Sequence, residues 1–329
     1  MSPRERFLAV LNKKPCDDRL PMVEWAAWWD KTIDRWKQED LPADLDFSQI
    51  IRYFDLDELC ILRAAPAVPQ AAGHGVGVIK NEAEYEAIKN EIFSEKIIDK
   101  LLEDAMTLKS HHDAGEISIR IWLDGFFWFP RRLFGIEAHL YAFYDNNDLM
   151  HRMNKDLEHF NLSALEALFP VMKPEFIGFA EDMSYNHGPM LSREMFNEFI
   201  KTHYQKLTIY IKQNNVKTLV DSDGDITSMI PWLIESGIEG VYPLERQAGV
   251  DINYLRKEYP DFILLGAYDK MVMNKGEKAI RDEFERILPV MRSGAFIPSV
   301  DHQTPPGVSL EDYRICVSVF KEYAQKAAK

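Results

Sequence analysis

Short apolar runs alternate with longer helical stretches along almost the whole chain, and this alternation constrains the fold more than any other feature. The eight runs that we interpret as strands are 20–25, 59–62, 117–123, 175–180, 216–220, 238–242, 262–266 and 295–299. Strands that alternate with helices are typical of parallel βαβ units. Eight such units predict a (β/α)8 TIM barrel, which needs about 250 residues plus insertions, and the chain has 329 residues.

An open doubly wound sheet is the alternative arrangement of strands and helices. Such a sheet normally carries a glycine-rich dinucleotide turn after a strand. The sequence has no GxGxxG after a strand and no P-loop, and Gly73-His74-Gly75-Val76-Gly77 has no helical pattern after it. No linker divides the chain. We therefore predict a single barrel domain over residues 1–329, with an N-terminal helical extension at 3–13.

The charge and the cysteines exclude several classes of protein. The formal net charge is −14, which disfavours binding to nucleic acid or to anionic membranes. The three cysteines form no CxxC pair, so neither a disulfide framework nor a thiolate zinc site is predicted. The N-terminus does not resemble a signal peptide, and no run approaches the roughly 18 apolar residues of a membrane span. We expect a cytoplasmic protein.

Acidic side chains follow most of the predicted strands, at the end where a barrel carries its active site. The residues that follow the apolar runs include Asp124, Glu181, Asp182, Asp221, Asp223, Glu245, Asp269, Asp301 and His302. Carboxylates crowded at one mouth raise one another's pKa or recruit a cation. Carboxylates with a histidine suit Zn²⁺, Mn²⁺ or Fe²⁺, and the histidine favours zinc. The predicted metal ligands are Asp221, Asp223, Glu245 and His302.

Each of these residues also has an ordinary structural explanation. Asp221-Ser222-Asp223-Gly224 can cap the helix that follows, because Asp and Ser favour turns and N-caps. An EF-hand calcium loop is excluded, because Gly224 comes too early in the loop. His302 is also consistent with a structural histidine, and Asp269 and Asp301 with helix caps. These alternatives stay open at the level of the sequence.

Aromatic residues lie near two of the predicted strand ends. Trp25, Trp28 and Trp29 follow the first run, and Phe126-Phe127-Trp128-Phe129 follows Asp124. They can line an apolar or aromatic substrate pocket, or they can simply pack in the core. The residues that we predict to contact substrate are Trp25, Asp124, Phe126, Trp128 and Asn186.

Three stretches of sequence are, taken together, specific to one superfamily. They are Arg4-Glu5-Arg6-Phe7 with Pro15-Cys16-Asp17-Asp18-Arg19-Leu20-Pro21, Glu181-Asp182 with Gly188-Pro189-Met190-Leu191-Ser192, and Ile297-Pro298-Ser299-Val300-Asp301-His302-Gln303-Thr304-Pro305-Pro306. Through them the chain resembles the uroporphyrinogen decarboxylase superfamily, which includes cobalamin-dependent methyltransferases, over nearly its whole length. The resemblance implies a (β/α)8 barrel, in agreement with the strand count.

Within that superfamily the chain is more similar to the methyltransferases. The decarboxylases carry an Arg-Gln-Ala-Gly-Arg stretch soon after the first strand, whose arginines hold substrate carboxylates, whereas residues 24–30 here contain no arginine. The thiol-methylating members hold zinc with a His-x-Cys pair and a later Cys. By position these fall on Asp221, Asp223 and His302. Harder ligands in place of thiolates imply a stronger Lewis acid and an oxygen-containing substrate.

These observations predict a metal-dependent methyltransferase, with zinc as the expected metal. It would move a methyl group between a small molecule and a corrinoid (cobalamin) carried on a separate protein, most concretely by O-demethylation of an aromatic methyl ether. The predicted catalytic residues are Glu181, Asp221 and His302, with Glu181 as a further ligand or a general acid for the leaving oxygen. Two alternatives stay open: a metal-free decarboxylase or related lyase, and a non-catalytic barrel that binds a corrinoid partner.

Overall fold

Seven parallel strands form one curled sheet in the computed structural model, which describes residues 1–328. The strands of the chain are β1 (Glu58–Ala64), β2 (Ile117–Asp124), β3 (Phe176–Ala180), β4 (Ser184–Tyr185), β5 (Gly188–Pro189), β6 (Lys217–Asp221), β7 (Gly240–Tyr242), β8 (Ile263–Tyr268) and β9 (Phe296–Val300). The sheet order is β1-β2-β3-β6-β7-β8-β9, while β4 and β5 form a separate two-stranded hairpin. The predicted (β/α)8 barrel class is confirmed, and seven of the eight predicted strands are present.

The predicted first strand, 20–25, is not a regular strand, although it lies beside the edge strand β9. The Ser299 hydroxyl of β9 donates to the carbonyl oxygen of Val23 at 2.6 Å. Pro21 and Pro298 carry no N–H group, so the two backbones cannot complete a hydrogen-bonded ladder there. The prediction of a strand is therefore wrong, yet the segment takes the eighth position of the barrel.

On its other side the same segment contacts the opposite edge of the sheet. Asp57, which directly precedes β1, donates its backbone N–H to the carbonyl oxygen of Met22 at 2.7 Å. The Asp57 carboxylate accepts the backbone N–H of Met22 at 2.9 Å. The segment therefore lies between β1 and β9 and closes the barrel through a few hydrogen bonds.

Residues 1–328 also contain fourteen α-helices that connect and surround the strands. They are α1 (Pro3–Leu11), α2 (Asp30–Gln38), α3 (Phe47–Tyr53), α4 (Glu82–Ile92), α5 (Lys96–Asp113), α6 (Trp128–Phe134), α7 (Ile136–Asp145), α8 (Asn147–Leu168), α9 (Arg193–Phe196), α10 (Thr202–Gln213), α11 (Ile230–Glu235), α12 (Ile252–Glu258), α13 (Glu277–Met291) and α14 (Leu310–Ala328). A π-helical turn at Asn197–Lys201 joins α9 to α10. Within this described part, no helix is long and apolar enough to cross a bilayer.

The N-terminal helix α1 covers the barrel at the amino ends of its strands. Ser2 and Glu5 form a capping box that fixes where α1 begins. Phe7 is fully buried and stacks on Phe176, the first residue of β3, with 6.1 Å between ring centroids. The predicted site residues lie at the other end, toward the carboxyl ends of the strands.

Glu24, in the segment that closes the barrel, is a buried acid. The Tyr313 hydroxyl of α14 donates to its Oε2 at 2.8 Å, while its Oε1 has no partner. Burial raises the pKa of Glu24 to about 8, and the hydrogen bond from Tyr313 offsets only part of that rise. Near neutral pH the side chain is therefore mostly protonated in the folded protein and ionised in the unfolded chain.

This pKa difference predicts a pH-dependent gain of stability in Glu24→Gln. Because the folded-state pKa exceeds the unfolded value of 4.5, stability that is present below that pH is lost as the pH rises toward 8. Glutamine cannot ionise and escapes this loss. We expect the urea midpoint of Glu24→Gln to exceed that of the wild type more at pH 8 than at pH 5. Glu91→Gln, at an exposed position of α4, is the control, and a pH-independent difference for Glu24→Gln would contradict the prediction.

Candidate functional site

The carboxyl ends of the strands surround a cavity of about 730 Å³. Its aromatic lining residues are Trp25, Phe47, Trp122 and Trp128. Its charged and titratable lining residues include Arg63, Arg120, Asp182, Asp221, Asp223 and His302. The cavity therefore combines flat apolar walls with charges of both signs, as sites for small organic molecules commonly do.

Three side chains at the mouth of this cavity bring metal-ligand atoms together. Asp223, Glu245 and His302 each offer one such atom, and the three atoms lie within 4.8 Å of one another. They follow β6, β7 and β9, whose carboxyl ends the parallel sheet brings to one rim. Two carboxylate oxygens and one imidazole nitrogen fit a divalent cation such as Zn²⁺ and leave a coordination position for substrate. We call these three residues the triad.

The loop after β6 holds the carboxylate of Glu245 in place. The backbone N–H of Gly224 donates to Glu245 Oε2 at 2.8 Å. Gly224 has a φ of +86°, and a Cβ there would lie 2.6 Å from the backbone of Tyr185. Both observations require glycine. The glycine after Asp223 therefore helps to orient the second acid of the triad.

The imidazole of His302 lies against the indole of Trp25. The Trp25 Nε1–H donates to the carbonyl oxygen of Val300 at 2.7 Å, which fixes the indole. The two rings meet edge to face with centroids 6.2 Å apart, and His302 Nε2 lies 3.8 Å from Asp223 Oδ1. Burial, and then the charge of Lys270, lower the pKa of His302. A neutral imidazole is the form that ligates a metal.

The carboxylates at the mouth are crowded. Burial raises the pKa of Asp223 to about 7, and repulsion from Asp182 and Glu245 adds to the rise. Burial also raises the pKa of Asp182, and raises that of Asp221 well above its ordinary value. A divalent cation would relieve this repulsion. The donor set and the charge at the triad therefore both fit a cation.

Asp221, the fourth predicted metal ligand, does not belong to the triad. It is the last residue of β6, and its side chain lines the cavity together with Arg120 and Ala180. Asp223 lies two residues further along, in the loop at the mouth. The two carboxyl groups therefore lie at different depths, and the structure leaves Asp221 on the wall of the cavity.

Glu181, a predicted catalytic residue, does not line the cavity. Its carboxylate is fully buried and accepts the backbone N–H groups of residues 126–128 at 2.7 to 3.0 Å, and also the Tyr204 hydroxyl. Burial raises the pKa of Glu181 to about 7, although these hydrogen bonds lower it. A Cβ at Gly125 would lie 2.1 Å from the Glu181 carboxyl carbon, so the loop packs directly on the carboxylate. In the structure, Glu181 therefore holds the backbone of residues 125–128 in place.

Three of the predicted substrate-contacting residues also lie away from the cavity lining. Asp124 is 1% exposed and forms an ion pair with Arg132. Phe126 is fully buried against the ring of His203, at 4.9 Å between centroids. Asn186 is exposed, in the turn between β4 and β5. Among the predicted substrate contacts, the structure places Trp25 and Trp128 on the cavity wall.

Several cavity residues escaped prediction from the sequence. Arg63, Arg120 and Trp122 all lie within strands. A signal was present in β2, where every second residue of an otherwise aliphatic run is polar or aromatic. Those residues are Ser118, Arg120, Trp122 and Asp124. In a barrel, alternate residues of a strand face the interior, so this set marks the inner face of β2.

Comparison with known proteins identifies the family. A sequence model described as uroporphyrinogen decarboxylase (URO-D) matches residues 133–323, more than half of the chain. The chain belongs to the uroporphyrinogen decarboxylase family. Among solved structures, a methyltransferase from Methanosarcina mazei superimposes with a TM-score of 0.67 at 14% sequence identity, covering 98% of this chain and 99% of that one. This likeness shows a shared URO-D-type fold. No curated protein sequence matches the chain significantly.

The contacts of Glu181 predict a structural cost when it is neutralised. In Glu181→Gln an amide N–H₂ group faces several buried donors. We expect the free energy of unfolding to fall by about 2–4 kcal/mol, measured by urea denaturation. Glu166→Gln, at an exposed position of α8, should change it by less than about 0.5 kcal/mol. A Glu181→Gln protein of unchanged stability that has lost activity would instead support the catalytic role predicted from the sequence.

Proposed function

We propose that this protein is a metal-dependent methyltransferase, which takes the methyl group of an aromatic methyl ether and passes it to a corrinoid on a separate protein in the cytoplasm. The observation that carries the proposal is the triad of Asp223, Glu245 and His302 at the mouth of an aromatic-walled cavity. The shared fold with a methyltransferase supports the reaction class. The three free cysteines agree with a reducing compartment.

The donor set of the triad favours an oxygen-containing substrate over a thiol. Asp223 and Glu245 supply oxygens and His302 supplies a nitrogen, so the set is harder than one built on thiolates. Zn²⁺ held by these three residues would act as a Lewis acid toward the ether oxygen. In this proposal Asp221, which lines the cavity, exchanges a proton with that oxygen.

The proposed reaction balances without a further reagent. The methyl–oxygen bond breaks and its electron pair stays on the oxygen, which takes up one proton to give the phenol. The methyl carbon forms its new bond with the electron pair of the reduced corrinoid, which is the acceptor substrate. The residues of this chain hold the ether in place for that transfer.

The aromatic walls suit a planar ring. The indole of Trp25 is fixed by its hydrogen bond to Val300 and meets Tyr242 edge to face at 5.3 Å. Trp122 and Trp128 lie on the same cavity. Rigid aromatic walls position a flat ligand and exclude water from the reacting bond.

A metal-free decarboxylase is the second candidate, and two arginines favour it. The stretch 24–30 has no arginine, but Arg63 and Arg120 reach the cavity from β1 and β2. Arginines bind the carboxylates of a decarboxylase substrate, and Asp221 beside them could handle the proton. Against this candidate, a polycarboxylate substrate would meet the acids of the mouth without a cation to offset them.

Metal binding by the triad is directly testable. We expect the purified protein to bind about one zinc per chain, with affinity measured by competition against a chromophoric chelator. Asp223→Asn and His302→Gln should each weaken binding at least ~10-fold, since loss of even an outer hydrogen-bond partner of a ligand costs that much. Asp99→Asn removes one acid from the exposed face of α5 and should bind like the wild type. Equal affinity in all four proteins would rule out the triad as the metal site.

Turnover distinguishes the two candidate functions. With 3-methoxybenzyl alcohol and reduced cobalamin, we expect release of 3-hydroxybenzyl alcohol. Chelation of the metal should slow this reaction more than ~10-fold, and added zinc should restore it. Full activity after complete removal of the metal would contradict the proposal. Release of CO₂ from uroporphyrinogen by the metal-free protein, without any methyl transfer, would establish the decarboxylase instead.

A further inference from the structure

Arg120, in the middle of β2, is a buried cation with incomplete hydrogen bonding. The residue is 2% exposed, and its Nη2 donates to the carbonyl oxygen of Trp25 at 3.2 Å. Its Nε and Nη1 have no partner. A guanidinium carries five N–H donors and stays charged in proteins, and burying a charged group whose donors lack hydrogen-bond partners is costly. Because Arg120 lines the cavity, an anionic ligand bound there would supply the missing partner.

Arg63, on the neighbouring strand β1, adds a second positive charge to the same place. Its guanidinium carbon lies 4.5 Å from the centroid of the Trp122 ring, and that of Arg120 lies 5.9 Å from the same ring. Within residues 1–328, neither arginine has a carboxylate oxygen within 4.0 Å. Arg63 is exposed to the cavity. The electrostatic attraction of Asp221 reaches both arginines without forming an ion pair, so two guanidinium groups beside one indole form a cationic surface for an anion.

The two arginines lie deeper than the triad, on strands that carry none of its residues. In the register of the sheet, Arg63 is level with Trp122, and Arg120 is level with Ile61, all within the strands. The triad instead lies in loops beyond the strands. In the sheet order, β6 and β7 stand three and four places from β1, and two and three places from β2. One ligand can therefore place an oxygen at the triad and an anionic group at the arginines, with its ring between the aromatic walls.

We propose that Arg63 and Arg120 form a subsite for the carboxylate of the substrate, so that the substrate class is an aromatic methyl ether that also bears a carboxylate. This inference rests on the proposed function for the ether and on the two unpaired arginines for the carboxylate. Guanidinium groups bind carboxylates through paired, charge-assisted hydrogen bonds. The subsite therefore orients the ligand, with its carboxylate at the two arginines and its methoxy group at the mouth.

The test compares two ligands that differ in one group. Binding of 3-methoxybenzoate and of 3-methoxybenzyl alcohol to the purified protein is measured by titration calorimetry, without added corrinoid. We expect the acid to bind about 10- to 100-fold more tightly, as charge-assisted hydrogen bonds allow. Arg63→Gln should reduce this preference to less than about 3-fold, because a neutral amide cannot pair with the carboxylate.

Two further variants make the result specific to the subsite. Arg120→Lys keeps the charge but loses the planar fork, so the preference should fall only part of the way. Arg292→Gln removes an exposed arginine after α13 and should keep the full preference. Equal binding of both ligands to the wild type, binding of neither at millimolar concentration, or an unchanged preference in Arg63→Gln would each overturn the inference. Since no methyl transfer is measured, a failure of the transfer step alone would not produce any of these results.

Discussion

Parallel hydrogen-bonded ladders between β1, β2, β3, β6, β7, β8 and β9 fix the site, because they bring seven carboxyl ends to one rim. The triad is assembled from loops after three of these strands and has no short-range relation in the sequence. Where the ladder fails, beside Pro21 and Pro298, a few side-chain and backbone hydrogen bonds keep the closing segment in position. Trp25 belongs to that segment, so the wall beside His302 depends on how the barrel is closed.

The charges of the cavity are largely separated by depth, and Asp221 is the exception because its buried carboxyl lies on the wall beside Arg120. The triad and Asp182 concentrate negative charge near the mouth, whereas Arg63 and Arg120 place two positive charges within the strands. The acids at the mouth repel one another, and two nitrogens of Arg120 have no hydrogen-bond partner. If opposite charges had been paired directly, the cavity would be neutral and would have little selectivity. Their separation instead leaves a place for a cation at one end of a ligand and for an anion at the other.

The sequence predicted those parts of the site that depend on strand ends. The apolar run before Asp223 and the one before His302 located both residues at the rim, where the structure has them. The same rule could not tell which way a side chain points. Glu181 follows β3 directly and turns into the protein beneath a loop, because three backbone N–H groups and a hydroxyl converge on it. Arg120 was not predicted as a site residue because it lies inside an apolar strand, whereas the prediction considered only residues at the ends of strands.

Glu181 can still influence the chemistry without contacting a ligand. Its carboxylate accepts the N–H of Trp128, the first residue of α6, whose side chain lines the cavity. The close fit of Gly125 on the same carboxylate leaves the loop little freedom to move. A buried acid that fixes the backbone of residues 125–128 therefore fixes one aromatic wall of the site. The residue is better described as a positioning residue, whose effect on a ligand passes through Trp128.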